Sequence, residues 1–398
     1  MEVVPQTIET KGEDQAVAHK HTVFAQLLKI VPRHDFELLA QKHHTGRKLR
    51  KMTRWSQFVA LGLAQLSGRS SLRDIVVNLR AQTHRLYHLG CRRVSRSSLA
   101  RVNNQQSYKL YEELFGKLLA RCRPLAPKHP FRFKGKLISL DASIIELSLS
   151  VFPWATFNRK KGAVKLHLGL DHDGYLPAFV RVTEGYHHEM KWARTVNLPK
   201  GSVVVFDRGF INYAWFNELN SKGISFVTRL KKNAIYRVVE RNRADRKQGV
   251  TSDQVILLKD HRQLCTIPLR RIGYRDWETG KHLVFVTNAF HLAAKTIADI
   301  YRERWQIELF FKWIKQHLKI KSFLGTSKNA VLTQLWVAMC MYLLLAYHKY
   351  SCKLGGSMIR LLRLLQLNLF EKRDLIALLS GEPPGGQTPT AQRELCFV

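Results

Sequence analysis

The chain has 398 residues, with 65 Lys and Arg against 30 Asp and Glu, a formal charge of +35 and a hydrophobic fraction of 45%. That apolar fraction is globular and the length suits two or three folded units, so whole-chain disorder and an acidic binding module are excluded. A folded chain this basic repels itself unless a polyanion screens it, which points to nucleic acid or an anionic surface.

Residues 1–20 are polar, carry acids and lack an apolar stretch, so they read as a loose N-terminus without a secretory signal, in a protein that starts out cytoplasmic. In 21–40, Phe24, Leu27, Leu28 and Val31 recur at helical spacing. Between residues 41 and 110 the only acid is Asp74, while Arg47, Lys48, Arg50, Lys51, Arg54, Arg69, Arg73, Arg80 and Arg85 are spread over helical segments. Trp55, Phe58, Leu61, Leu63 and Leu66 supply the apolar side. One sign of charge on such a fold favours a DNA-binding surface over a merely solvated face. Ser70 and Ser71 read as a helix start, Gly90 as a break, and Ser95 as the cap of a second short helix through 99–103. With Arg92, Arg93, Arg96 and Arg101 around that cap, the segment resembles a helix-turn-helix, a pattern any small helical bundle also produces.

Pro124, Pro127 and Pro130 mark a boundary in 123–136, closing a helical DNA-binding unit at 21–130. Strand-like runs follow at 136–145, 163–170, 178–182, 202–206 and 224–228. Asp171-His172-Asp173-Gly174 joins the second and third as a hairpin, and Tyr213, Phe216 and Leu219 predict a crossover helix in 211–220. The result is a mixed α/β sheet in a catalytic unit at 131–320. Within it, 231–290 reads as a basic, β-rich insertion with runs at 234–239, 254–258, 265–269 and 283–287. Helices are predicted at 292–318, 329–350 and 358–379, the last two forming a C-terminal unit at 321–380, and 381–398 is a tail whose 381–390 is rich in Pro and Gly. The apolar run 331–347 contains Thr333 and Gln334 and is slightly short for a bilayer, so it reads as a buried helix and no membrane is expected. Six scattered cysteines without C-x-x-C or zinc spacing read as reduced, structural thiols.

No Walker A pattern, nucleophile elbow or G-x-G-x-x-G follows a strand, which removes the main support for a nucleotide motor, a serine hydrolase or a dinucleotide enzyme. Carboxylates remain. Asp141 lies inside the first strand among apolar neighbours, where a lone ionised acid is costly, and Asp207 ends the fourth strand before Arg208-Gly209. Two acids sharing a site invite Mg²⁺ to neutralise them. In 292–318, Tyr301, Arg304, Glu308 and Lys315 fall within an arc of about 60° on a helix turning roughly 100° per residue. Phe310, Trp313, Ile314 and Leu318 lie opposite, and Glu303 projects toward that apolar side. Glu308 would bind metal while Tyr301, Arg304 and Lys315 hold phosphate oxygens. The alternatives are a buried acid paired with a cation at Asp141, a turn cap at Asp207, and plain Arg304–Glu308 pairing worth about 0.3–0.5 kcal/mol.

Tyr301-x2-Arg304-x3-Glu308-x6-Lys315 resembles the Y-R-E-K signature of the IS4 family of bacterial insertion-sequence transposases. Leu140-Asp141-Ala142-Ser143 and Phe206-Asp207-Arg208-Gly209-Phe210 are similar to that family's two aspartate motifs. Phe152-Pro153-Trp154-Ala155 and Lys160-Lys161-Gly162-Ala163-Val164-Lys165-Leu166-His167 are similar to its intervening block. The resemblance implies a ribonuclease-H-like domain whose catalytic, metal-binding triad is Asp141, Asp207 and Glu308, with the β-rich insertion between the second Asp and the Glu. It further implies cut-and-paste excision through hairpin ends, and a homodimer when two element ends are brought together. The chemistry these carboxylates would support uses two divalent ions, Mg²⁺ or Mn²⁺, to activate water and then a 3′-hydroxyl without ATP. The double-stranded DNA partners are then the terminal inverted repeats and the target. Relatives hold a flipped base with a tryptophan of the insertion; Trp277 is the candidate, and an exposed structural tryptophan is the alternative. Two rival functions are a regulator that binds DNA without chemistry and a structure-directed nuclease.

Overall fold

Caps fix where the N-terminal helices begin. Thr22 opens α1 (Val23–Leu28), Pro32 opens α2 (Arg33–Lys42), Thr53 opens α3 (Arg54–Ser67), Ser71 opens α4 (Leu72–Ala81) and Ser95 opens α5 (Arg96–Gln105); α6 (Lys109–Cys122) follows. Each of the four hydroxyls accepts a backbone N–H of the first turn, which would otherwise be unpaired. The helical spacing of 21–40 is therefore two helices, because proline has no N–H for the helical ladder. The computed structural model describes residues 21–383 apart from 51, 156, 158–161, 260–263, 319 and 321. The N-terminus at 1–20, Lys51, Lys160, Lys161, Cys396 and most of the expected tail lie outside the described residues.

Between α4 and α5, a 3-10 segment (Thr83–Leu89) buries Leu86 and Leu89 and is closed by Gly90 at φ 57°, the left-handed conformation that favours glycine. A helix-turn-helix joins its helices through three or four residues. The expected motif is thus not formed: the break at Gly90 and the cap at Ser95 are present, but these apolar anchors make the intervening chain part of the core.

β1 (Leu137–Leu147) pairs antiparallel with β2 (Gly162–Asp171), and β2 with β3 (Leu176–Glu184). After α7 (Glu189–Ala193), β4 (Val203–Phe206) lies parallel to β1; after α8 (Tyr213–Ser221), β5 (Ser225–Arg229) lies parallel to β4. Three antiparallel strands continued by two parallel ones form the ribonuclease-H-like mixed sheet. The insertion adds β6 (Tyr236–Asn242), β7 (Val250–Leu258), β8 (Leu269–Arg275) and β9 (His282–Thr287). Because β9 pairs with β5, one nine-stranded sheet runs β3-β2-β1-β4-β5-β9-β8-β7-β6. The run expected at 265–269 is displaced: the ladder starts at Leu269, after Pro268, which cannot donate to it.

Strand parity sends alternate side chains to opposite faces. Ile138, Leu140, Val204, Phe206 and Phe226 pack with Trp192 of α7 and with Trp215 and Phe216 of α8. Leu137, Val203, Val205 and Val227 pack with Ile297 and Ile300 of α9 (Ala294–Glu303). Asp141, four residues after Leu137, belongs to this second face.

The helix expected at 292–318 is two, α9 and α10 (Trp305–His317), divided at Arg304. There the ladder tightens, Arg304 N–H bonding Tyr301 O and Ile307 N–H bonding Arg304 O. α11 (Lys328–Ser351) is long and apolar enough to cross a bilayer, yet every residue from 330 to 346 is buried. Its covers are α3, α5, α6 and α12 (Met358–Asn368). α13 (Leu375–Ser380) follows, capped by Asp374, which splits the run expected at 358–379. A helix apolar on all sides needs cover on all sides. For that reason 21–130 and 321–380, expected as separate units, share one core, which Leu166, Leu168 and Leu170 of β2 join.

Candidate active site

Asp141 sits on the α9 face of β1, and its Oδ1 accepts the Ala142 N–H at 2.8 Å. Asp207 lies one residue past the Leu140–Phe206 pair of the parallel strands β1 and β4, so the two acids stand at the same level of adjacent strands. Asp207 Oδ1 accepts the Gly209 N–H at 2.8 Å and caps the turn Arg208–Phe210. The turn-cap alternative is therefore realised, and it fixes the direction of the carboxylate. Glu308, in the first turn of α10, pairs through Oε1 with Arg304 Nη2 at 2.7 Å.

The charges of these groups act on Asp141. Burial pushes its carboxyl up to about 7, the neighbouring charges of Asp207 and Glu308 push the same way, and the Ala142 N–H and the Arg304 guanidinium oppose them. Because the folded chain binds this proton more tightly than the unfolded one, the stability it contributes is present below about pH 4 and lost as pH rises through 7. Asp141→Asn is therefore expected to raise the melting temperature of the metal-free protein at pH 8 and to leave it nearly unchanged at pH 4. Thermal melts of both proteins in EDTA across that range are the measurement; equal shifts at both pH values would remove this account.

The four residues expected on one helical stripe straddle the division at Arg304. Tyr301, on α9, packs its ring 5.1 Å from Phe285 and lies 5.5 Å from the Arg304 guanidinium, which in turn holds Glu308. Lys315 does something the spacing did not suggest. Its Nζ donates to Ser143 Oγ at 2.6 Å and to Ile144 O at 2.9 Å, tying α10 to β1 two residues beyond Asp141. Phe310, Ile314 and Leu318 are buried as expected, and Glu303 accepts Tyr175 OH at 3.4 Å, facing the β2–β3 turn.

Among the described residues, no three His, Cys, Asp or Glu side chains stand close enough together to hold a metal ion. The donor set nevertheless fits Mg²⁺ or Mn²⁺ in kind, being all carboxylate oxygen with Asp141 in want of a cation.

Trp277 is exposed in the turn between β8 and β9. β9 pairs with β5 only from Phe285 onward, so this hairpin overruns Arg229 at the C-terminal end of β5, the end at which Asp207 follows β4. Trp305 was missed. It is 55% exposed beside Arg304, three residues before Glu308 and away from the buried side of α10.

Arg92, Arg93, Arg96 and Arg101 are all exposed. Ser70, Ser71, Arg73, Arg96 and Ser97 line one open groove, so the N-termini of α4 and α5 face the same space. Two such termini with Arg73 and Arg96 beside them favour an anion, against the single charge of Asp74 in the same lining.

A family model described as Transposase DDE domain matches residues 132–344, and one described as a domain of unknown function matches residues 19–92. A Sinorhizobium fredii protein described as transposase y4zB is 33% identical over 304 residues, 75% of this chain and 83% of the relative. The transposase described for insertion sequence element IS5377 of Geobacillus stearothermophilus is 27% identical, covering 83% of this chain and 85% of its own. That described for insertion sequence element IS4SA of Synechocystis is 23% identical over 78% of this chain and 86% of its own.

Proposed function

The chain belongs to the family of insertion-sequence transposases built on a DDE domain, a class of phosphoryl-transfer enzymes, and we propose that it binds the terminal inverted repeats of its element and cuts and rejoins DNA there. The observation that supports this reading is that Asp207, from the adjacent strand, and Glu308, from α10, lie near enough to Asp141 for their charges to act on its carboxyl, with Arg304 paired to Glu308. Asp141, Asp207 and Glu308 would hold Mg²⁺ or Mn²⁺, two ions in all, which supply charge neutralisation for an in-line displacement at phosphorus. Arg304, buttressed by the Tyr301 ring, would hold a phosphate oxygen of the reacting strand. Lys315 ties α10 to β1 two residues beyond Asp141 and would in that way help to position Glu308. An exposed tryptophan, Trp277 or Trp305, offers a face for an unpaired base.

Arg92, Arg93, Arg96 and Arg101 would hold the backbone of the element end, and pairing of two ends implies a homodimer on DNA. The protein would act in the bacterial cytoplasm, on nucleoid DNA. Replacing these four arginines by alanine is expected to weaken end binding. Every phosphate that the variant no longer neutralises should flatten the slope of log affinity against log salt by about 0.9. Filter binding from low to physiological salt measures it, and an unchanged slope would remove these residues from the interface.

The test of the function is incubation with DNA carrying the element's own ends in Mg²⁺ or in EDTA. Nicked and hairpin products that need both the ends and Mg²⁺ are expected. Binding without any product would favour the regulator, and cutting indifferent to the ends would favour the nuclease.

A further inference from the structure

Two segments have no part in the mechanism above: the β2 motif that includes Lys165 and His167, and His187-His188-Glu189 at the start of α7. They meet. Lys165 is 9% exposed and donates from Nζ to His187 O at 3.1 Å, with Glu189 Oε1 at 3.5 Å. A lysine so far out of water needs a counter-charge, and Glu189 supplies it.

The other oxygen of Glu189 faces Gly209. A Cβ placed on that glycine would stand 3.4 Å from Glu189 Oε2 and 3.1 Å from Asp207 Oδ1. Gly209 also donates its N–H to Asp207 Oδ1. Two carboxylates from different elements thus flank one residue that has no side chain to separate them. Lys165 reaches Glu189 through Oε1 at 3.5 Å, outside hydrogen-bond distance, and so offsets its charge only in part, while Oε2 lies on the Gly209 side.

We propose that Glu189, held in place by Lys165, is a positioning residue that sets a negative charge beside Asp207 and so strengthens the hold of that corner on a divalent cation. The proposal rests on Asp207 being a metal ligand. Glu189 acts through Asp207: it adds field and fixes the carboxylate's surroundings, as partners beyond the ligands of metal sites do. A methyl group on Gly209 would stand 3.1 Å from Asp207 Oδ1, so the Asp207 carboxylate would have to shift by a few tenths of an ångström, while Glu189 Oε2 at 3.4 Å stays in ordinary contact.

The test is calorimetric titration of the DNA-free, full-length protein with Mn²⁺, using Glu189→Gln, Glu189→Asp, Gly209→Ala and Asp207→Asn, with circular dichroism and melting temperature recorded for each. Glu189→Gln is expected to weaken Mn²⁺ binding roughly tenfold or more with the melt retained. Glu189→Asp, which keeps the charge, should recover part of that loss, as a merely structural role would not. Gly209→Ala gives an independent route to the same weakening should Glu189→Gln fail to fold. If Asp207→Asn weakens binding while Glu189→Gln and Gly209→Ala bind as the parent does, the role of Glu189 is overturned and Asp207 stands. If Asp207→Asn itself binds as the parent does, the ligand assignment falls and this proposal with it.

Discussion

Asp141→Asn, Asp207→Asn and Glu308→Gln are each expected to lower Mg²⁺-dependent cleavage of end DNA by roughly a thousandfold or more, with end binding held within a few-fold. Each replacement is nearly isosteric and removes one negative charge. At Asp141 the loss is easiest to foresee, because that carboxyl is already pushed up to about 7 by burial and by its two acidic neighbours, and a bound cation would favour its ionised form. Asp207→Asn keeps an oxygen to accept the Gly209 N–H, so the turn survives while the charge does not. Glu308→Gln keeps a hydrogen-bond acceptor for Arg304 and loses the ion pair. Because the exposed arginines of the N-terminal helices lie outside this constellation, binding should persist. Single-turnover cleavage beside a gel-shift titration separates the two properties. Substantial cleavage by any of the three variants would show that the wrong carboxylate had been named.

Deletion of residues 1–130 is expected to yield a protein without a cooperative melt, not a free-standing catalytic domain. α11 is buried on every side, and α3, α5 and α6 supply much of its cover. Leu335, Val337, Met341, Leu344 and Leu345 are among the residues wholly or almost wholly withdrawn from water there. Re-exposing a side chain of that size costs about 1.5–3 kcal/mol, so baring even five of them rivals the roughly 5–15 kcal/mol by which a domain is stable. The Asn329 side chain would also lose its bonds to the carbonyls of Asn103 and Gln106. A fragment of residues 131–398 studied by calorimetry and light scattering is the measurement. A soluble monomer with a sharp melt would show that the shared core is not obligatory.

What the sequence determined by itself was whatever depends on near neighbours in the chain. The apolar neighbours of Asp141, the apolar run ending at Asp207 and the spacing of Tyr301, Arg304, Glu308 and Lys315 singled out these acids and cations as candidates, because strand and helix periods are set by local backbone geometry. Ser71 and Ser95 announced their helices for the same reason, since a cap needs only the first turn it serves. Tertiary structure decided the rest. A uniform helical period could not reveal the division at Arg304, which separates Tyr301 from Glu308, nor the reach of Lys315 to Ser143. Glu189 and Gly209 carried no sign of each other, for their approach depends on how α7 lies over the end of β4. Composition could not show that α11 belongs to the N-terminal helices, or that the insertion continues the catalytic sheet through the pairing of β9 with β5. Periodicity records which face of an element is apolar, while the partner that covers the face is chosen by packing between segments far apart in the chain.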